Sequence, residues 1–211
     1  MECSIAILAG GQSKRLGQDK ALISIHGDGR PLIAHLIERL RPLSDDLFIL
    51  GPDRPGYREF EVPLVLDDYP GEGPLGGIAT ALRQARYERV LVIACDLPFL
   101  NVPLVRWMIE QDQTRDAVIP SVPGRSRQGS RLVLQSTHAI YARSSLVEIE
   151  LALARGLRQA SHVLSNSDVL YLPVERLVRI DPGLRSFFSI NTPEEYEQAA
   201  IWLQSMPEER V

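Results

Sequence analysis

Three stretches of this chain set chemically capable residues at the ends of apolar runs. The first, SIAILAGGQSKRLGQDK (4–20), puts Gly10 and Gly11 directly behind such a run and follows them with Lys14, Arg15 and Lys20. Glycines in that place let the backbone approach a ligand and turn N–H groups toward anionic oxygens. Arg15 offers a bidentate fork for phosphate oxygens, and Lys20 a point charge. Together these residues suit a triphosphate, whose charge needs several converging cations. Two phosphate motifs are excluded for this loop: Gly17 is followed by Gln18 and Asp19 rather than Lys-Ser/Thr, and the G-x-G-x-x-G spacing does not occur in it. A glycine turn with solvated lysines is the plainer reading of the stretch alone.

The second stretch, DDYPGEGPLGGI (67–78), leads with Asp67 and Asp68 and opens a helix through glycines and prolines. Turn chemistry accounts for some of those glycines. A leading carboxylate and a closing helix N-terminus ask for more: Gly76 and Gly77 can approach a base or ribose while Asp67 accepts from ring N–H or hydroxyl groups. The third, RVLVIACDLPFL (89–100), ends a buried run at Cys95-Asp96, and Pro98 bars the ladder from continuing. Asp96 at a strand tip facing a triphosphate is a natural magnesium ligand, because that ion takes one or two carboxylates beside phosphates and waters. Capping of its own turn is the alternative for Asp96.

The elements that must hold these residues alternate. Strand patterns at 4–8, 46–51, 62–66, 89–95 and 116–121 are interleaved with helical patterns at 31–43, 75–85 and 101–111. In the first helix Leu32, Ile33, Leu36, Ile37 and Leu40 share a face. Such alternation predicts an α/β fold with a mostly parallel sheet covered on both faces. Beyond residue 120 the pattern changes to two short apolar stretches near 132–134 and 139–141, a helix near 144–155 and a strand over 169–177. Thr192, Pro193 and Glu195 form a capping-box signature for a last helix.

The totals narrow the function. A chain of 211 residues without repeats or linkers predicts one domain. With 27 acidic against 23 basic residues it lacks the basic excess of a non-specific nucleic-acid binder. No apolar stretch approaches the ~20 residues of a membrane span, and the N-terminal run is too short for a secretory signal, so a cytoplasmic location is expected. Cys3 and Cys95 read as buried small apolar side chains rather than a disulfide framework or zinc site.

LAGGQSKRLGQDK, DDYPGEGPLGGI, ACDLP and FFSINTPEEY together resemble the molybdenum cofactor guanylyltransferases, within the nucleotidyltransferases of three-layer, glycosyltransferase-A-like Rossmann-type fold. The motifs lie between residues 5 and 196. The resemblance implies transfer of GMP from GTP to the terminal phosphate of molybdopterin, with magnesium as cofactor and molybdopterin-loading proteins or molybdoenzyme chaperones as partners. It also implies that Leu8, Ala9, Gly10 and Gly11 contact the guanine nucleotide and that Gly76 lies beside it. Lys20 would bind its phosphates with Arg15 along them, Asp67 would sit near base or ribose, and Asp96 would bind metal and nucleotide. Arg15, Lys20 and Asp96 are then the catalytic set. On the acceptor side stand Asn191 and Arg127, the latter in a loop where Arg125, Arg127 and Arg131 could hold the pterin's phosphate or simply be solvated. Residues 1–120 would form the nucleotide-binding part and 121–211 the acceptor part with the C-terminal helix.

Three departures accompany the resemblance. Gly51 stands where the family often has asparagine, Ser189 replaces the first asparagine of its NINTP, and Gln128-Gly129 stands where a glutamine- or histidine-proline-leucine element is expected. Transfer from CTP, a sugar-phosphate acceptor, or a non-catalytic nucleotide-binding adaptor are the rival functions.

Overall fold

The structure is a computed structural model that describes residues 2–11, 19–124, 131–160 and 167–205. Its strands are β1 (Ser4–Leu8), β2 (Leu47–Leu50), β3 (Leu64–Val65), β4 (Arg89–Ala94), β5 (Ala117–Pro123), β6 (Leu132–Leu134), β7 (His138–Ala142) and β8 (Val169–Leu172). They form one mixed sheet in the order β3-β2-β1-β4-β7-β5-β6, with β8 paired to β5. The run from β3 to β4 is parallel, and so is β5 with β8. Strand β7 is inserted antiparallel between β4 and β5.

Helices cover both faces because the buried strands alternate apolar side chains at period two. Ile5, Ile7, Leu91 and Ile93 pack under α1 (Leu32–Leu40) and α3 (Val102–Ile109). Ala6, Val90 and Val92 pack on the opposite face, under α2 (Gly73–Gln84) and α4 (Leu146–Ala154). The five α1 residues expected on one face are all buried. Cys3 and Cys95 are buried and unpaired, and burial pushes the Cys3 thiol up to about 11.

One element is shorter than its pattern. Strand β8 stops at Leu172, and Pro173 precedes a single helical turn, α5 (Val174–Leu177). The expected strand over 169–177 is corrected here: proline has no N–H for the ladder, and the turn buries Leu177. The last helix, α6 (Pro193–Gln204), starts at the expected capping box, with the Thr192 hydroxyl accepting from the Glu195 N–H and the Glu195 carboxylate accepting from the Thr192 N–H. Phe188 and Ile190, just ahead of it, join a third apolar cluster with Ile23, Ile25, Leu32, Phe99 and Ala199. Among the described residues no helix is long and apolar enough to cross a membrane.

The register places the site. Leu8 at the end of β1 lies beside Ala94 at the end of β4 and Leu50 at the end of β2. The chain therefore leaves the sheet at three adjacent points along its carboxyl edge, where open α/β sheets hold ligands.

Candidate active site

A cavity of about 680 Å³ opens over these strand ends, bounded by Gly10, Gly11, Lys20, Asp67, Asp96 and Asn191 among others. Lys20 begins a short 3-10 turn, Lys20–Leu22, in which the Ala21 N–H donates to the Asp19 carboxylate as the N-cap. Its ammonium donates to Asp96 Oδ2 at 3.2 Å and to Asn191 Oδ1. Asp96 is mostly buried, and that burial raises its pKa, while the Lys20 charge partly offsets the rise. The Asp96 carbonyl accepts from the Ile190 N–H at 3.0 Å, which stitches the segment before α6 to the tip of β4. Asn191 is held there by its N–H to Glu195 Oε2 and its Nδ2 to Ser189 Oγ.

The remaining expected residues take different places. Leu8, Gly10 and Gly11 line the cavity, whereas Ala9 is buried behind them with its N–H donating to the Leu50 carbonyl. Asp67 lines it too, but its Oδ1 already accepts from the Tyr69 N–H and the Thr80 hydroxyl, both at 2.9 Å. Gly77 faces the cavity beside Leu8, while a Cβ on Gly76 would stand 2.8 Å from the Tyr69 carbonyl oxygen. Gly76 thus serves close packing of α2 on its own loop. Arg15 and Arg127 lie outside the described residues, as do Arg125 and Gln128.

Gly71, Gly73 and Gly76 have the G-x-G-x-x-G spacing at the start of α2, with φ of +88° at Gly71 and +67° at Gly73. Gly71 and Gly73 line the cavity, so the motif absent from the first loop occurs in the second. Gln135, Thr137, His138 and Phe187 also line it, and local sequence pattern does not single them out. His138 opens β7 opposite Ile93 of β4, a neighbour set only by the antiparallel insertion. Burial lowers its pKa to about 4, leaving the imidazole neutral near pH 7.

As to a metal, no group of three or more His, Cys, Asp or Glu side chains among the described residues is arranged to hold an ion. One strand-tip carboxylate in a cavity of about 680 Å³ fits an ion that arrives with the nucleotide, since magnesium keeps phosphates and waters as ligands.

The sequence of the MobA-like NTP transferase domain matches residues 5–172. The chain belongs to that family. A probable molybdenum cofactor guanylyltransferase of Carboxydothermus hydrogenoformans is 31% identical over 195 residues, covering 92% of this chain and 93% of that protein. A molybdenum cofactor guanylyltransferase of Pseudomonas fluorescens is 45% identical over 113 residues, 51% of this chain and 54% of its own length. The crystal structure of molybdopterin-guanine dinucleotide biosynthesis protein A from Archaeoglobus fulgidus superposes with a TM-score of 0.79 at 28% identity, over 96% of this chain and all of that one (100%). This MobA-like transferase is thus a nucleotidyltransferase on the expected three-layer fold. Its Gly51 has a physical reason: a Cβ there would lie 3.0 Å from the Ala9 carbonyl carbon and 3.2 Å from the Gly10 nitrogen. Direct backbone packing replaces a side chain at that point.

Proposed function

We propose that the chain transfers GMP from magnesium–GTP to the terminal phosphate of molybdopterin and releases pyrophosphate. The observation that carries this reading is the meeting of Lys20, Asp96 and Asn191, from three distant segments, in one cavity floored by Gly10 and Gly11. Asp96 would hold the metal, which when bound neutralises charge on the phosphates. With Asp96 given over to the metal, Lys20 would turn to phosphate oxygens, and Arg15 would add a second cation. The amides of Gly10 and Gly11 and the start of α2 supply fixed dipoles at the same place. The Leu8, Gly77 and Asp67 wall takes the nucleoside.

The acceptor phosphate attacks the α-phosphorus in line with the departing pyrophosphate, a reaction that depends on positioning and charge neutralisation. A phosphate monoester is already ionised near neutral pH, so no general base is needed. Residues 1–120 act as the nucleotide part and 121–211 as the acceptor part, with Arg127 and Asn191 on the acceptor's side. Pyrophosphate release assayed with molybdopterin and GTP or CTP tests the reading. Turnover with GTP and little with CTP is expected; turnover confined to CTP, or to a sugar phosphate as acceptor, overturns the guanylyl assignment.

A further inference from the structure

The segment that follows β2 reaches both ends of the glycine-rich loop without lining the cavity. At its start Gly51 packs its Cα side against Ala9 and Gly10, where the loop leaves β1. A few residues on, a 3-10 turn spans Pro55–Phe60, and Tyr57 within it is fully buried. The Tyr57 hydroxyl lies 2.8 Å from Asp19 Oδ2 and 3.1 Å from the Ala9 carbonyl oxygen. Its single proton therefore faces two acceptors, one at the entrance of the loop and one at its exit. Burial and the Asp19 carboxylate push the phenol far above its ordinary value, so it stays a donor at every working pH.

Asp19 is the other half of the device. Its Oδ1 accepts from the Ala21 N–H at 3.1 Å and so shapes the turn that presents Lys20. Arg54 also donates to Oδ2, from the half-exposed side, with its guanidinium 5.9 Å above the Tyr57 ring. A Cβ on Gly56 would stand 3.1 Å from Leu22 Cδ1, so this turn also packs directly on the turn carrying Lys20.

We infer that Tyr57, supported by Arg54, is a positioning residue that pins Ala9 and Asp19 at fixed separation and thereby sets Gly10, Gly11 and Lys20 in register for the nucleotide's phosphates. It touches no substrate itself and acts through Asp19 and the Ala9 carbonyl. The assignment of phosphates to the cavity rests on the proposed function; the pinning of the two loop ends does not.

Tyr57→Phe removes one oxygen and keeps the buried ring. Two measurements on the full chain decide the matter: hydrogen exchange at the hydrogen-bonded amides of Ala9, Ala21 and Leu22 in the ligand-free protein, and nucleotide affinity by calorimetry well below the unfolding midpoint. Exchange about tenfold faster at those amides, with affinity for magnesium–GTP about tenfold weaker and kcat less affected, is the expected result for a lost hydrogen bond to a charged group. A ring that only fills the core would lower the unfolding temperature and leave both readouts alone, and that result overturns the inference. Should Tyr57→Phe not fold, Arg54→Gln relieves the same carboxylate from the surface, with the same direction of change expected and the same null outcome decisive against it. If the wild-type chain binds none of GTP, CTP, ATP and UTP, the proposed function fails, while the exchange measurement still decides whether Tyr57 holds the loop.

Discussion

Gly51→Ala adds one methyl group at the most crowded point under the phosphate loop. The new Cβ would meet the Ala9 carbonyl carbon at 3.0 Å, and the Ala9 oxygen and Gly10 nitrogen at 3.2 Å. Ordinary contacts begin near 3.4 Å, so about 0.4 Å of separation is missing against the nearest atom. All three atoms are backbone and cannot swing aside like the end of a side chain. Both strands are tied as well: the Ala9 N–H donates to the Leu50 carbonyl at 2.8 Å, and the Gly51 N–H to the Val65 carbonyl at 3.0 Å. Overpacking of this kind costs ~1–3 kcal/mol. In a chain of this size each kcal/mol lowers the unfolding temperature by ~2–4 °C. What strain is not paid in stability displaces Ala9 and Gly10 toward the cavity, and a shift of that size costs about tenfold in kcat/KM. Thermal unfolding and steady-state kinetics with GTP measure the two parts. Gly11→Ala is the control, since among the described residues a Cβ there has no neighbour within 4 Å, and it should leave the unfolding temperature unchanged. If Gly51→Ala alters neither the unfolding temperature beyond about 1 °C nor kcat/KM, the argument from close approach is wrong.

Asp96→Asn keeps shape and removes charge; magnesium-dependent pyrophosphate release should fall on the order of a thousandfold, as expected for several kcal/mol of lost metal-assisted stabilisation. Its unfolding temperature at pH 7 should not drop, because burial already disfavours the ionised carboxylate, and calorimetry checks this. Lys20→Met removes a cation that holds the Asp96 pKa down, so that pKa should rise further. A carboxylate whose folded pKa is raised contributes stability below its unfolded pKa and loses that contribution as pH rises through the folded value. The variant should therefore lose more stability than wild type between acid and neutral pH, and the acid limb of its residual activity should move to higher pH; denaturation and rate profiles against pH test both. Gly76→Ala should destabilise more than Gly77→Ala, because its Cβ meets the Tyr69 carbonyl oxygen at 2.8 Å whereas that of Gly77 meets only the movable end of Leu8 at 3.2 Å. Melting of the two variants side by side gives the order.

The parallel half of the sheet is legible because its strands carry their own signatures. The buried run 89–94 stops before Pro98, which leaves Asp96 at an edge, and the capping box marks the start of α6. The antiparallel half is not legible in the same way. Nothing local to residues 135–142 says that β7 slots between β4 and β5, so the wall formed by Gln135, Thr137 and His138 is a product of pairing at long range. Gly76 shows a different limit: its type signals close approach, but only the coordinates show that the partner is the Tyr69 backbone rather than a ligand. The end of β8 is a case of one residue outweighing a pattern, since Val174 and Leu177 carry apolar residues past Pro173 while the ladder cannot continue.

The Lys20 ammonium meets Asp96, 76 positions away, and Asn191, 171 positions away in the chain. A growing polypeptide emerging from synthesis can finish β1 to β4 and their helices long before Asn191 exists. Until that residue is made, the Lys20 ammonium lacks its Asn191 contact, and a nucleotide meeting the half-built protein finds an incomplete clasp. The clasp around Lys20 is therefore whole only once the stretch leading into the last helix has been synthesised.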